Sequence, residues 1–294
     1  MHSYRSLSAL LVAGAMLVGA SACSSDDDNT NPSGSGGGGT TTSTTGDGGG
    51  GGEPGTGGNS AGGGGSGPVN GCTEPTEVPC ADEVFQALNL QDDITPGLIE
   101  SQPDGAGFTS LINAVAGGAM NPNPDSYTYG KFTANGLEKV EISDENAIDS
   151  MDWDIAFRRA VIRINSGNSG PSCVTAAPLA GTSYDDLTAL PASLPQGRTD
   201  TFYSDACVFQ SDGSGQPTAP GTALASFYAY NQTTHCLGMS SQVYLLQLAD
   251  SSYVKLVVTA YYSPDVQAEC DAGNPLPQGP TGSGNYQIRW AFLQ

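Results

Sequence analysis

The chain has 294 residues, a formal charge of −21 and 41 glycines, 19 of which lie at positions 31–70. No lysine or arginine occurs between Arg5 and Lys131, so this stretch lacks the clustered cations that bind phosphate, and nucleic acid is not expected as a partner. The residues after position 70 are numerous enough for one domain with a sizeable core.

Residues 1–22 have the pattern of an export signal. Arg5 precedes an apolar run over residues 7–19 that is too short to span a bilayer stably. The small residues at 20–22 lead into Cys23, which resembles the lipobox of bacterial lipoproteins and implies that Cys23 is lipidated. The acidic run at 26–28 resembles signals that route some lipoproteins to the surface of the outer membrane. The alternative is a cleaved secretory peptide in which Cys23 has no role.

Residues 23–70 form a Gly/Ser/Thr-rich segment with almost no apolar side chains. Such a segment buries too little surface to offset its ordering entropy, so we expect a lipidated, disordered tether. Its r.m.s. span of roughly 35 Å would hold a domain clear of a membrane surface. A G-x-S-x-G match at 58–62 has no strand before it and is attributed to composition.

Cysteine number agrees with export. Six cysteines remain after Cys23, and an even count in an exported chain favours disulfides. Zinc is disfavoured because no C-x-x-C occurs and the mature chain has a single histidine. We expect sequential bridges, which pair Cys72 with Cys80, Cys173 with Cys207, and Cys236 with Cys270.

The predicted elements are mainly β-strands. Residues 81–90 and 108–115 show helical spacing of apolar residues and predict a short α-helical N-terminal elaboration at 71–124. From 125 to 294 the sequence predicts a mainly β domain of antiparallel sheets, in which aromatic and β-branched runs alternate with turn formers. The predicted strands lie at 127–132, 140–142, 153–164, 243–248, 253–262 and 286–293, and the turn at 250–252 predicts a hairpin.

The strand predicted at 153–164 changes the parity of its apolar face at Arg158 and Arg159. A β-bulge there would restore the inward face. The two arginines could bind a carboxylate such as a ligand propionate. The alternative, which we favour, is a structural ion pair, for instance with Asp152 or Asp154.

Residues 152–170 resemble the strand-and-turn signature of the HmuY-like lipoproteins, most specifically in the run W-D-I-A-F-R-R at 153–159. The resemblance covers about residues 125–294. It implies a predominantly β fold on a surface lipoprotein that binds haem and transfers it to an uptake receptor.

Members of that family that bind haem hold the iron between two histidines or two methionines. Here the mature chain offers one histidine, His235, and the methionines Met120, Met151 and Met239. On one helix His235 and Met239 would share a face, so they could not bind an iron from opposite sides. A His/Met pair would need Met120 or Met151, and the alternative is that these side chains are loop or core residues.

No catalytic constellation is predicted, because a single mature histidine leaves Ser-His-Asp and Cys-His chemistry without geometry and no carboxylate pair stands out. Two functions therefore remain. The first is a tethered lipoprotein that binds haem or a porphyrin for uptake. The second is a disulfide-stapled surface interaction module of the same fold that binds no haem.

Overall fold

Short antiparallel strands dominate the computed structural model, which describes residues 71–114, 126–211 and 220–294. The predicted export signal, Cys23, the tether and Met120 lie outside these residues. In chain order the described elements are α1 (Ala81–Ala87), β1 (Ile99–Asp104), β2 (Gly107–Asn113), β3 (Thr128–Thr133), β4 (Gly136–Val140), α2 (Asp144–Ala147), β5 (Ile155–Arg158), β6 (Val161–Ile164), β7 (Thr175–Leu179), β8 (Tyr228–Tyr230), β9 (Leu237–Met239), β10 (Val243–Gln247), β11 (Tyr253–Ala260), α3 (Pro264–Asp271) and β12 (Asn285–Leu293).

The main sheet has six strands in the order β1-β2-β12-β11-β10-β7, and every neighbouring pair is antiparallel. In β12 the residues Tyr286, Ile288 and Trp290 are buried, as their alternation in the sequence predicts. The predicted hairpin is confirmed, since β10 and β11 pair around the turn at 248–252.

A smaller sheet, in the order β4-β3-β5-β6, faces the main sheet across the core. The shared core contains Phe157 and Ile164 from the smaller sheet and Leu256 and Ile288 from the main sheet. Strands β8 and β9 form a separate hairpin that packs on the same core through Leu237. The mainly β class predicted from the sequence is confirmed.

The prediction of a helix at 108–115 is wrong, because residues 107–113 form strand β2, which lies between β1 and β12 in the main sheet. Ser110 and Ile112 face the core, and the Ser110 hydroxyl is buried because it accepts a hydrogen bond from the Trp290 indole N–H at 2.9 Å. Because Ser110 is polar, the alternation of apolar and polar residues typical of a strand was not visible in the sequence of β2. Among the described residues of the predicted elaboration, α1 is the only helix, while residues 99–113 supply two strands of the main sheet.

The parity change at Arg158 and Arg159 is a hairpin turn and not a β-bulge. Strand β5 ends at Arg158, which pairs with Val161, so Arg159 and Ala160 form a two-residue turn. Arg159 has φ +47°, the left-handed conformation that tight hairpins require. The single strand predicted at 153–164 is thus two strands.

All six predicted disulfide cysteines are bonded. Cys236 pairs with Cys270 as expected, but the sequential pairing of the other four is wrong. The bridges and their Cα–Cα distances are Cys72–Cys173 at 6.0 Å, Cys80–Cys207 at 5.6 Å and Cys236–Cys270 at 5.3 Å.

Long-range packing of residues 71–80 explains the two unexpected bridges. Thr76 donates its backbone N–H to the Pro171 carbonyl at 2.8 Å, and Asn168 Nδ2 donates to the Pro79 carbonyl at 2.7 Å. The segment therefore runs along the turn region after β6, where both of its cysteines meet partners distant in sequence.

None of the described helices is both long and apolar enough to cross a membrane.

Candidate ligand-binding cleft

A cleft of about 680 Å³ opens on the outer face of the main sheet, beside α3. We call it the α3 cleft. It is lined by the outward-facing residues of β1 and β2, by the end of β11, by the start of β12 and by one side of α3. Its volume lies within the range of roughly 300 to 1,000 Å³ that is typical of small-molecule sites.

Local irregularity in β11 shapes the sheet wall of the α3 cleft. The pairing of β11 with β12 shifts between Val258 and Ala260, and this bulge leaves Thr259 out of register. Thr259 Oγ1 donates to the backbone and side-chain oxygens of Gln287 at 3.1 and 2.9 Å. The bulge therefore presents both residues to the cleft at the end of the sheet.

A buried glutamine fixes α3 against the sheet. Gln267 Oε1 accepts the backbone N–H groups of Tyr261 at 2.8 Å and Tyr262 at 3.3 Å. Its Nε2 donates to the Leu237 carbonyl at 3.2 Å and to Asp271 Oδ1 at 2.9 Å. Because all of its polar atoms are satisfied, the helix wall of the cleft is set firmly without a ligand. The sequence analysis missed α3, although the run Ser-Pro-Asp at 263–265 is a common helix start.

The floor of the α3 cleft is apolar and accessible. Leu98 is 58% exposed and Leu111 is 44% exposed, which is unusual for leucines in this chain. Tyr262 adds an aromatic ring whose hydroxyl accepts the Leu237 N–H at 3.2 Å. Burial raises the pKa of Tyr262, so the hydroxyl stays neutral at physiological pH.

Charge in the cleft is exclusively acidic. Glu100 and Asp271 are the charged residues that line it, and no lysine, arginine or histidine does. Both carboxylates belong to exposed residues. The lining therefore combines an apolar floor with a negative rim.

A second cleft of about 800 Å³ lies between residues 197–201 and 221–228. Its lining is mainly hydroxyl, amide and backbone groups, with one cation, Arg198. It has no apolar floor, and Arg198 is exposed. The α3 cleft is therefore the better candidate for a ligand with an apolar body.

The predicted haem ligands lie at different places in the structure. His235 is exposed in the β8–β9 turn with φ +59°, and its Nδ1 is 3.0 Å from the Tyr230 hydroxyl. Met239 is half-buried on β9, packs on the main core and donates its backbone N–H to Asp271 Oδ1 at 2.9 Å. Neither side chain lines the α3 cleft.

Met151 lies near the β10–β11 turn, at the other end of strand β11 from the α3 cleft. It precedes Asp152, whose carbonyl accepts from Lys131 Nζ at 3.3 Å, and Lys131 also attracts Asp250 in the β10–β11 turn. From that turn β11 runs eight residues, roughly 23 Å, to the α3 cleft. Strand β5 likewise runs away from Met151 until Phe157 meets the Tyr286 ring at 5.2 Å.

The described residues therefore do not fit a haem held between two side chains. His235 and Met239 lie near α3, but the Met239 side chain packs on the core whereas His235 is exposed and contacts the Tyr230 hydroxyl. Met151 lies at the far end of β11, and no described histidine, methionine or cysteine lines the α3 cleft. A ligand propionate would also meet Glu100 and Asp271 there instead of a cation. One further cluster, of Cys80, Cys207 and Glu83, offers no metal ligand set because its two thiols form a disulfide.

Arg158 is a structural cation, although with a different partner from the one expected. Its Nη1 lies 3.3 Å from Asp144 Oδ2 and 3.1 Å from the Asn89 carbonyl, and its Nη2 donates to the Leu88 carbonyl. The suggested partners Asp152 and Asp154 are wrong, because both precede the extended strand β5 and Arg158 stands at its other end. Arg159 donates its backbone N–H to the Ala114 carbonyl at 2.9 Å, and it does not line the α3 cleft.

Asp154 is buried and makes the stability of the fold dependent on pH. Its Oδ2 accepts the Phe132 N–H at 2.9 Å, but burial outweighs this bond and raises the pKa of Asp154 to about 6. A folded-state pKa above the ordinary value means that stability is greatest at low pH and falls as the pH rises through 6. We expect the free energy of unfolding to decrease by at most about 3 kcal/mol between roughly pH 4 and 7 from this group.

The comparison of Asp154→Asn with the parent in urea at several pH values tests this expectation. Asparagine keeps the acceptor for Phe132 and removes the titration, so the decrease should be smaller in the variant. Asp200 is also buried with its pKa raised to about 6 and leaves a remaining slope. Asp152→Asn, at an exposed site two residues away, is the control and should leave the pH profile unchanged. A profile for Asp154→Asn identical to that of the parent would refute the expectation.

Comparison with known proteins identifies one matching family and several similar solved structures. The model of the HmuY protein family matches residues 123–272. No curated protein matches the chain significantly. Similar solved structures include a protein assigned as HmuY-like and heme-binding from Bacteroides vulgatus, with 15% identity and TM-score 0.42 over 66% of this chain and 96% of that one. A lipoprotein from Bacteroides fragilis gives 13% identity and TM-score 0.42 over 65% and 95% of the two chains. The apo HmuY analogue of Tannerella forsythia gives 17% and 0.36 over 69% and 100%.

The family match includes the run at 153–159 on which the sequence resemblance rested, and it extends over strands of both sheets. It also covers the end of β11 and α3, which line one side of the α3 cleft. Since the matched segment, residues 123–272, makes up half of the 294 residues, this chain belongs to the HmuY family.

Proposed function

We propose that this chain is an exported, lipid-anchored binding protein of the HmuY family that does not hold haem iron between two side chains. The observation that carries the proposal is the separation of Met151 from His235 and Met239 by the length of β11. Its binding site is the α3 cleft, which is preformed by the bonds of Gln267 and has an accessible apolar floor.

The anchor and the location belong to the same proposal. The pattern of residues 1–22 and the small residues before Cys23 support lipidation, and residues 23–70 support a tether. The acidic residues at 26–28 support a place on the outer membrane, with the domain facing the surface. Three disulfides in the folded part agree with an oxidising compartment.

Haem or a porphyrin is the ligand that family membership favours, with transfer to an uptake receptor as its purpose. The volume and apolar floor of the α3 cleft support binding of a macrocycle. The iron would gain no protein ligand there, so the macrocycle alone would supply the affinity.

The second candidate is a disulfide-stapled surface interaction module that binds no haem. The acidic rim of the α3 cleft favours this candidate, because Glu100 and Asp271 oppose the two propionates of a haem. The exposed leucines of the cleft would then contact a different ligand.

A comparison of hemin with iron-free protoporphyrin IX tests the proposal. The protein is the mature chain with Cys23→Ser, and binding is measured by quenching of its tryptophan fluorescence. Since no side chain ligates the iron, we expect the two affinities to agree within about threefold, or neither compound to bind. Hemin binding more than about tenfold tighter than protoporphyrin IX would contradict the proposal. Human albumin serves as the positive control for both compounds.

A further inference from the structure

We infer that the α3 cleft selects a small organic cation with an apolar body. The inference rests on the second candidate function, in which the α3 cleft binds no haem, because it names the ligand class of that same site. It follows from the arrangement of charge and apolar surface in the cleft, and it is separate from the ligand class that the family implies.

Acidic groups stand on both walls of the cleft. On the sheet wall, Glu100 of β1 pairs directly with Leu111 of β2, so a carboxylate lies beside an exposed apolar side chain. On the helix wall, Asp271 ends α3, which also carries Asp265 and Glu269 and has no basic residue in its last turn. The negative end of the helix dipole adds to this charge.

Asp271 has capacity for a ligand. Its Oδ1 accepts the Met239 N–H at 2.9 Å and Gln267 Nε2 at 2.9 Å, which hold the carboxylate in place. Neither of these donors is charged, so the bonds position the carboxylate without neutralising it. A fixed carboxylate at the rim of an apolar cleft attracts a cation more strongly than one free in solvent.

The basic residues of the described chain do not line the cleft. Arg159 comes near it, since its side chain hydrogen-bonds Tyr261, the neighbour of the cleft residue Tyr262. Arg158 pairs with Asp144, Lys139 with Glu141, and Arg289 with Asp104 and Asp185. No residue of this kind lines the α3 cleft, so an anionic ligand would meet repulsion and find no counter-charge there.

The apolar floor defines the rest of the ligand. Leu111 lies between Glu100 on β1 and Gln287 on β12 in the sheet register, and Leu98 extends the same surface. Burial of these two leucines by a ligand removes apolar area from water. Tyr262 is only 4% exposed, so the two leucines supply the accessible apolar surface. A ligand with an alkyl or aryl body and an ammonium group satisfies both features.

Three probes of one chain length test the inference. Decylamine, decanol and decanoate carry positive, zero and negative charge near neutral pH and share their apolar body. Titration calorimetry with the Cys23→Ser chain should give the order decylamine, decanol, decanoate, with decylamine at least about tenfold tighter than decanoate. Added salt should reduce this preference.

Two variants locate the effect. Glu100→Gln should reduce the preference for decylamine over decanoate, and Leu111→Thr should weaken all three probes because it removes part of the floor. Glu145→Gln, at an exposed acidic residue on α2 outside the cleft, is the matched control and should change neither. Both test sites are exposed, so folding is expected to persist, and circular dichroism checks it.

The outcomes are distinguishable. Equal binding of the three probes, weakened by Leu111→Thr, would overturn the charge selection and leave the α3 cleft as the ligand site. A preference for decylamine that neither Glu100→Gln nor Leu111→Thr changes would overturn the assignment to this cleft. Absence of binding by every probe would overturn the inference, and the comparison of hemin with protoporphyrin IX would still decide the proposed function independently.

Discussion

Replacement of Asp144 by leucine is expected to lower the free energy of unfolding by about 3 to 5 kcal/mol. Asp144 is fully buried, and its carboxylate lies 3.3 Å from Arg158 Nη1. It also accepts the Tyr127 N–H and the Tyr129 hydroxyl, each at 2.8 Å, and the Gln91 N–H at 3.1 Å. The substitution leaves a buried guanidinium without its counter-charge and three donors without their acceptor. Urea denaturation under non-reducing conditions measures the change.

A double-mutant cycle separates the ion pair from the other bonds. Arg158→Leu in the Asp144→Leu background should cost less than Arg158→Leu alone, because the arginine has already lost its carboxylate. Asp149→Asn, at an exposed position of the loop after α2, is the control and should change stability by less than about 0.5 kcal/mol. A loss below about 1 kcal/mol for Asp144→Leu would show that the buried network does not hold β3 to α2.

Trp290→Ala is the second substitution with a large expected effect, a loss of about 3 to 5 kcal/mol. The indole is fully buried between Phe108, with ring centroids 4.9 Å apart, and Phe132, at 4.8 Å. Its N–H donates to Ser110 Oγ. Alanine would leave a cavity between the two sheets and a buried hydroxyl without its donor.

The control for Trp290 lies on the same strand. Phe292 is 36% exposed, so Phe292→Ala should cost clearly less, about 1 kcal/mol. Both variants are compared by urea denaturation with intact disulfides. Equal losses of stability for the two variants would contradict the burial pattern of β12, in which Trp290 lies in the core and Phe292 is partly exposed.

The strands of the main sheet could be predicted where side chains alternate without interruption. Tyr286, Ile288 and Trp290 alternate with polar residues, and this pattern marked β12 correctly. Strand β2 was mistaken for a helix because the core position of Ser110 is polar, and its burial depends on the Trp290 indole nearly two hundred residues away. A hydrogen bond across the fold leaves no trace in local periodicity.

The disulfide pairing was predicted correctly for Cys236 and Cys270 alone. Cys236 and Cys270 lie on β9's turn and on α3, which pack together, and their bridge was expected. Cys72 and Cys80 lie close in sequence, but the segment that carries them packs along residues 168–171. Spacing in the sequence contains no information about that contact.

The α3 cleft could not be predicted, since its lining comes from residues 98–113, 259–271 and 285–287. Glu100 and Leu111 become neighbours only through the β1–β2 register, and β2 was assigned to the wrong element class. The family resemblance instead predicted a ligand site at His235 and the methionines. Met151, just before the family signature at 153–159, lies at the far end of β11 from the α3 cleft, so the signature gave no indication of that cleft.

The proposal that no pair of side chains ligates haem iron is tested most directly by visible absorption of hemin titrated into the Cys23→Ser chain. The comparison is with a variant that also carries Met120→Ala, Met151→Ala, His235→Ala and Met239→Ala, after circular dichroism has shown that it folds. We predict that the oxidised and dithionite-reduced spectra of the two proteins superimpose throughout the titration. A Soret shift that saturates at one equivalent in the parent and is absent from the variant would show that these side chains bind the iron, and would contradict this account.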